Sequence, residues 1–393
     1  MLATLIADDL TGACDAGALF AGRGRVGVFV DAAAVDPGRD VAAIDTETRS
    51  LTAPEAAARV RATAERLGAR LHAGLLFKKI DSTLRGAVGA ELDALLSATG
   101  RSAALVCPAF PAEGRTVAQG RLCVNGIPVH ASPIGRDPAY PGDTSDVVAI
   151  LRRATARPIS HLPLDRVRSG RDALERALAS ARGIVVADAE TDADLDALAA
   201  AAAARPALVL AGSAGLAGAV AARLGHAAPL PVPLPEGRGW LIVAGSLHPA
   251  TRAQIRSLEA AGVAGVAIDG TCDPDTRALV DRLRGGRPVF VTTADGAAAT
   301  PDARRHMAAR LAALATGVLA RTRPDLLAVT GGDTAHALIV ALEADHLELR
   351  GSPSSGLALG DLVVDGAPTL AVLTKAGGFG AANLFLTLLD GVA

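Results

Sequence analysis

Short apolar runs closed by Gly, Pro or Asp alternate along this chain with longer Ala/Leu/Arg stretches of helical period. That alternation is the signature of strand-helix units wound around a mostly parallel sheet. Strands are expected at 4–7, 74–77, 103–107, 184–187 and 207–210, and a second set at 240–244, 263–268, 289–292, 326–330 and 369–374. Helices are expected over 172–181, 194–204, 249–261 and 304–320. Half of the residues are apolar but only 2% are aromatic, so the interior must be built from Ala, Val, Leu and Ile. Small aliphatic side chains suit helix-on-sheet packing better than a β-sandwich.

A chain of 393 residues is long for one core, so two domains are expected. Prolines at alternate positions within 228–237 neither continue a helix nor donate to a sheet, which puts the boundary there. The reading is therefore an α/β protein with a first domain at 1–227, a Pro-rich linker at 228–238 and a second domain at 239–393. Between 115 and 140 the helical period disappears, and Asn125-Gly126 between short apolar runs signals a hairpin in an irregular lobe.

Composition also excludes classes of partner. A formal net charge of -2 without a long basic stretch argues against nucleic acid and against an anionic membrane. No apolar run is long enough to span a bilayer, and the first residues read as a strand rather than a signal peptide, so the cytoplasm is the expected location. Cys14, Cys107, Cys123 and Cys272 are too scattered for a zinc site or a disulfide framework. A small-molecule ligand is the remaining expectation, and a homo-oligomer stays open.

The chain carries only three lysines, Lys78, Lys79 and Lys375, in a Lys+Arg total of 39. A surviving ammonium in so arginine-rich a chain points to places where a planar guanidinium would not serve. Lys78 and Lys79 open Lys-Lys-Ile-Asp-Ser-Thr-Leu-Arg-Gly (78–86), and Lys375 opens Lys-Ala-Gly-Gly-Phe-Gly (375–380). In an open parallel sheet ligands gather beyond the carboxyl ends of the strands, and these motifs follow expected strands.

Gly331-Gly332-Asp333-Thr334 follows the strand at 326–330 and opens a helix, where bare backbone amides can meet an anion. Asp333 then fits a magnesium-facing carboxylate, and Lys375 would balance phosphate charge. Ordinary helix capping by Asp333 or Thr334 is the plainer alternative. Asp8 and Asp9, directly after the first strand, can hold a polyhydroxy substrate and take a proton from one hydroxyl, unless one of them only caps a helix. Arg85 could grip a substrate carboxylate while Ser82 and Thr83 bond its hydroxyls. Gly22, Gly24 and Gly27 spell G-x-G-x-x-G, but they follow a helix and precede a strand, the reverse of a dinucleotide fingerprint.

Taken in order, Ile-Ala-Asp-Asp-Leu-Thr-Gly-Ala (6–13), the 78–86 stretch, Pro-Ala-Phe-Pro (108–111), Gly-Arg-Thr (114–116), Gly-Ser-Ala-Gly-Leu-Ala (212–217), Thr-Gly-Gly-Asp-Thr (330–334) and the 375–380 stretch resemble the four-carbon acid sugar kinase family. The resemblance implies an ATP- and Mg2+-dependent kinase acting on threonate, erythronate or a 3-oxo relative, with its active site in the interdomain cleft. By position, Asp8, Asp9, Lys79, Asp81, Ser82 and Arg85 would face the acid sugar. Gly245, Ser246, Gly331, Gly332, Asp333, Thr334, Lys375, Gly377 and Gly378 would face the nucleotide, with Asp8, Asp9 and Lys375 in catalysis. His248 and the 352–360 stretch depart from the family pattern. A nicotinamide-dependent hydroxy-acid dehydrogenase would need the correctly placed glycine fingerprint that is missing, and a non-catalytic sensor of sugar acid or nucleotide is the third reading.

Overall fold

The computed structural model describes residues 2–36, 38–137, 139–140, 142–227, 231–271, 274–294 and 300–392. Cys272 and positions 228–230 of the expected linker lie outside these. Contacts divide the chain into two compact units. The first comprises Met1–Asp8, Leu19–Arg25 and Asp31–Ala227, the second Asp9–Ala18, Val26–Val30 and Ala228–Ala393.

Seven parallel strands build the first unit, in the order Val41–Asp45, Ala3–Ala7, Leu75–Lys79, Val209–Gly212, Ala103–Cys107, Gly183–Ala187 and Ile159–Leu162. Ala3–Ala7, Ala103–Cys107 and Gly183–Ala187 are buried at every position, as strands covered by helices on both faces must be. The register sets Ala7 opposite Lys79, so the chain leaves these neighbouring strands at one edge, carrying Asp8 from one and Asp81 from the other. A small antiparallel sheet of Arg115–Ala118, Arg121–Val124 and Ile127–Pro128 forms the irregular lobe. Its second turn is the expected Asn125-Gly126 hairpin, with φ of 50° and 78° matching the right-handed strand twist.

The second unit is a mixed sheet, in the order Ala264–Ile268, Val289–Thr293, Trp240–Ala244, Leu326–Thr330, Ala367–Lys375, Leu357–Val364, His346–Gly351 and Val26–Phe29. The first five pair in parallel and the remainder antiparallel. Trp240, Ile242, Phe290, Leu326, Leu373 and Phe385 pack its core.

Two findings depart from the sequence reading. The strand Leu357–Val364, paired along its length with Ala367–Lys375, was not among those expected, and it takes in the end of the 352–360 stretch. The first helix, Leu10–Ala18, belongs to the second unit, against Gly332–Ala341 and the antiparallel strands. Eight of its nine residues are buried, and a helix made of small side chains and hidden on every side must be covered from several directions. It ends at Ala18, before Gly22 and Gly24, and Gly27 lies within the strand Val26–Phe29.

Candidate active site

Asp8 follows the first strand and is only 1% exposed. Its carboxylate receives Nε and Nη2 of Arg49 at 2.9 and 2.8 Å, a bidentate pair. Burial alone would raise its pKa, but Arg49, aided by Lys78 and Lys79, holds it below the ordinary carboxylate value. Lys78 is fully buried and sets Nζ 2.6 Å from Oε2 of Glu91, an oxygen that also accepts the Thr48 hydroxyl at 3.1 Å. Lys79, also buried, donates to the Ile80 carbonyl at 3.0 Å.

The turn after Leu75–Lys79 is built around Asp81. Arg85 donates Nε and Nη2 to its two oxygens at 2.8 and 2.9 Å, and the Thr83 hydroxyl closes a short bond to the same group. Burial opposes ionisation, yet Arg85 and Thr83 keep the Asp81 carboxyl well below the usual range, and Asp81 in turn raises Arg85. Arg85 also reaches Asp137 in the lobe at 3.2 Å. Leu84 is buried at φ 60°, a conformation unfavourable for a side chain of this kind, so the surrounding bonds hold the turn in a strained form. The next helix begins at Val88, so neither Asp81 nor Ser82, itself half-buried, caps it. The bidentate grip expected of Arg85 is made with Asp81, and its third nitrogen faces Asp137.

In the second unit the glycines converge. Gly331, at φ 104°, turns the chain from Leu326–Thr330 into Gly332–Ala341, and a Cβ there would stand 3.1 Å from the Ser246 amide. A Cβ on Gly332 would stand 2.7 Å from Oδ2 of Asp9. Side chains at 245 and 377 would collide with Thr334 Oγ1 and Ser246 Oγ respectively, and one at 378 would lie 3.3 Å from the His248 ring. Gly245, Ser246, Gly331, Gly332, Thr334, Gly377 and Gly378 therefore meet with Asp9 in one cradle of bare backbone, and Asp333 lies in the first turn of the helix beside it. Gly331 is the N-cap position of this helix, with Asp333 and Thr334 as its second and third residues. Asp9 accepts the Gly12 amide and the Thr11 hydroxyl, both at 2.8 Å, which fixes its carboxylate at the start of Leu10–Ala18.

Lys375 ends its strand opposite Thr330 and is 1% exposed. Its Nζ reaches the carbonyls of Ala376, Gly377 and Phe379 at 2.9, 3.2 and 3.0 Å, with Thr251 Oγ1 at 3.4 Å. Burial pushes its pKa down to about 7. These partners are loop carbonyls, where the sequence led to an expectation of phosphate oxygens.

Sequence reasoning missed Arg49, Glu91, Thr251 and Gln254 as parts of these networks. Gln254 Nε2 contacts the carbonyls of Phe379, Gly380 and Ala381 at 3.0, 3.1 and 3.0 Å. Thr251 and Gln254 are both wholly buried one turn apart in Pro249–Ala260, so a polar pair on the apolar face of that helix was the available signal. His248 caps the same helix, its Nδ1 accepting the Ala250 amide at 3.1 Å, which leaves the proton on Nε2 in the neutral ring.

Magnesium on a nucleotide keeps several waters and takes one or two carboxylates from the protein. Among the described residues no group of three or more His, Cys, Asp or Glu could hold a metal by itself. Asp333 in the first turn of Gly332–Ala341, with Asp9 beside Gly332, supplies the carboxylates for that smaller demand.

Two α/β units, one closing on a charged hydroxyl-bearing turn and the other on a glycine cradle, define the architecture of a two-domain phosphotransferase. Residues 3–220 match the model of a sugar-binding N-terminal domain, and residues 241–385 that of a nucleotide-binding C-terminal domain. The chain belongs to the four-carbon acid sugar kinase family. A D-threonate kinase of Cupriavidus necator is 39% identical over 402 residues, covering 96% of this chain and 94% of its own. A 3-oxo-tetronate kinase of Methylobacterium radiotolerans is 32% identical over 421 residues, covering 99% and 98%. The crystal structure of a Haemophilus influenzae protein, 20% identical, matches with a TM-score of 0.72 over 99% of this chain and 100% of that one, a likeness of fold. Among the described residues no helix is long and apolar enough to cross a membrane.

Proposed function

We propose that this chain transfers the γ-phosphoryl group of ATP to the terminal hydroxyl of a four-carbon sugar acid: threonate, erythronate or 3-oxo-tetronate. In this reading residues 1–227 bind the acid sugar, 228–238 link, and 239–393 bind the nucleotide in the cytoplasm. The observation that carries it is Asp9 against Gly332, a carboxylate at the start of the helix whose bare amides suit a phosphate.

The hydroxyl oxygen attacks the γ-phosphorus, the bond from that phosphorus to the β,γ-bridging oxygen breaks, and ADP leaves. Asp9 takes the hydroxyl proton. Asp8 is the poorer base, because the charged Arg49 guanidinium pairs with it and holds its pKa down. Asp8 and Arg49 instead order the wall on which Lys79, Asp81, Ser82 and Arg85 meet the acid. Gly245, Ser246, Gly331, Gly332, Thr334, Gly377 and Gly378 receive the phosphates. Asp333 would hold magnesium, which when bound neutralises phosphate charge. Catalysis of this kind is positioning and charge neutralisation more than covalent chemistry.

The test is ADP release from ATP and Mg2+ with each of the three acids. At least one acid should support turnover. Asp9→Asn should lower kcat about a hundredfold or more while ADP binding, measured by calorimetry, stays near wild type. Silence with all three acids would defeat the assignment, and near-normal turnover by Asp9→Asn would defeat the base.

A further inference from the structure

Lys375 is a cation enclosed by the loop that follows it. An ammonium has three N–H donors and no acceptor, and the carbonyls of Ala376, Gly377 and Phe379 stand within hydrogen-bond reach of all three. Gln254 gathers the carbonyls of Phe379, Gly380 and Ala381 from its own side, and the Thr251 hydroxyl donates to Gly377 O at 2.8 Å. The loop thus turns five of its carbonyl oxygens toward two buried side chains.

A trans peptide unit is planar, with its C=O and the following N–H on opposite sides. Each carbonyl drawn toward Lys375 therefore directs the next residue's amide away from it. The amides that follow the three captured carbonyls belong to Gly377, Gly378 and Gly380. All three positions are glycine, so no side chain screens them. Among the described residues no hydrogen bond uses any of these three amides. Gly377 and Gly378 lie against Ser246 and His248, in the cradle already described.

We propose that Lys375 is a positioning residue, a built-in cation that aims the Gly377, Gly378 and Gly380 amides at the nucleotide phosphates without itself touching them. The proposal rests on the reading of this unit as nucleotide-binding and deepens it. It accounts for lysine over arginine, since a compact ammonium can be enclosed by carbonyls on several sides and a planar fork cannot. It also accounts for the spacing of the glycines after Lys375.

The experiment has a nucleotide-free arm and a binding arm, applied to wild type, Lys375→Met, Lys375→Ala and Gln254→Met. Hydrogen exchange of the 376–381 segment without nucleotide should rise in all three variants. The dissociation constants for ADP and ATP should rise together, by about tenfold, the equivalent of one charge-assisted hydrogen bond. Methylammonium should restore part of the ADP affinity of Lys375→Ala and none of that of Gln254→Met. Unchanged exchange in nucleotide-free Lys375→Met, or a loss confined to ATP with ADP unaffected, would overturn the positioning role in favour of a direct phosphate contact. If a lysine variant fails to fold, Gln254→Met carries the test alone: unchanged exchange and unchanged ADP affinity there sink the proposal. Wild-type protein that binds neither nucleotide would instead strike the nucleotide reading, while the exchange arm still reports on the cage.

Discussion

Asp9 and Gly332 are in such close apposition that a methyl group on the glycine would stand 2.7 Å from the carboxylate Oδ2 and 3.0 Å from the Asp9 Cβ. The absence of a side chain at 332 is thus a condition for Asp9 to stand where it does. Gly332→Ala should leave the fold intact, because alanine is the better helix former by about 1 kcal/mol and Gly332 is a helical residue. Displacing Asp9 by an ångström should lower kcat by on the order of a hundredfold. Thermal melting and steady-state kinetics on the same preparation check this, and a variant with wild-type kcat would show that Asp9 has room to spare.

Lys78 and Glu91 make a second kind of pair. Both are about fully buried, 2.6 Å apart, and Glu91 Oε1 has no hydrogen-bond partner among the described residues. Removing one partner strands the other charge, so Lys78→Met and Glu91→Gln should each cost about 3 kcal/mol or more in denaturant unfolding. Replacing both with apolar residues, Lys78→Met with Glu91→Leu, should recover much of the loss. Strictly additive losses would mean that the pair is not a unit.

The motifs at strand ends were legible because the hydrophobic period fixes where a strand stops, and a parallel sheet then puts those stops at one edge. Lys79, Asp81, Gly331 and Lys375 all sit at or just beyond such stops. The antiparallel strands His346–Gly351 and Leu357–Val364 were not among the strands expected, although Asp365 and Gly366, at φ 50° and 73°, make the same kind of tight hairpin as Asn125-Gly126. That Leu10–Ala18 joins the second unit is not a local property, since its buried small residues would suit either unit equally. The direction of Lys375 was illegible for a related reason. A strand-end lysine can reach outward or curl into its own loop, and the choice depends on carbonyls contributed from one, two and four positions further along a folded turn.

Asp81 links structure to acid stability. Its burial raises the carboxyl pKa, but Arg85 and Thr83 pull it well below 3.8 in the folded chain. A depressed carboxylate contributes stability that is present above the unfolded value of about 3.9 and is lost as pH falls through the folded value. Wild-type protein should therefore lose stability more steeply below about pH 4 than Asp81→Asn does, although the variant is weaker at neutral pH because Arg85 has lost its partner. Urea midpoints on both sides of that pH check the sign, and parallel acid profiles for the two proteins would show that Asp81 is not held as the geometry requires.

Lys375 gives a linkage of the same sign in a higher pH window, although here it is the charged form that costs stability. Burial lowers its pKa from 10.5 to about 7, so between those values the unfolded chain binds the proton and the folded chain releases it. Stability rises with pH wherever the unfolded state holds more protons. The cost of burying the ammonium is fully present below about pH 7 and is relieved as pH climbs toward 10.5. Lys375→Met has no such group, so the stability of wild type relative to Lys375→Met should increase from pH 7 to pH 10 and stay flat from pH 5 to pH 6. The carbonyl cage opposes this, because three acceptors favour the charged form, and the measured midpoint of the rise reports how far they succeed. A difference between the two proteins that is flat over the whole range to pH 10 would mean that the cage holds Lys375 protonated throughout, with burial fully offset by its acceptors.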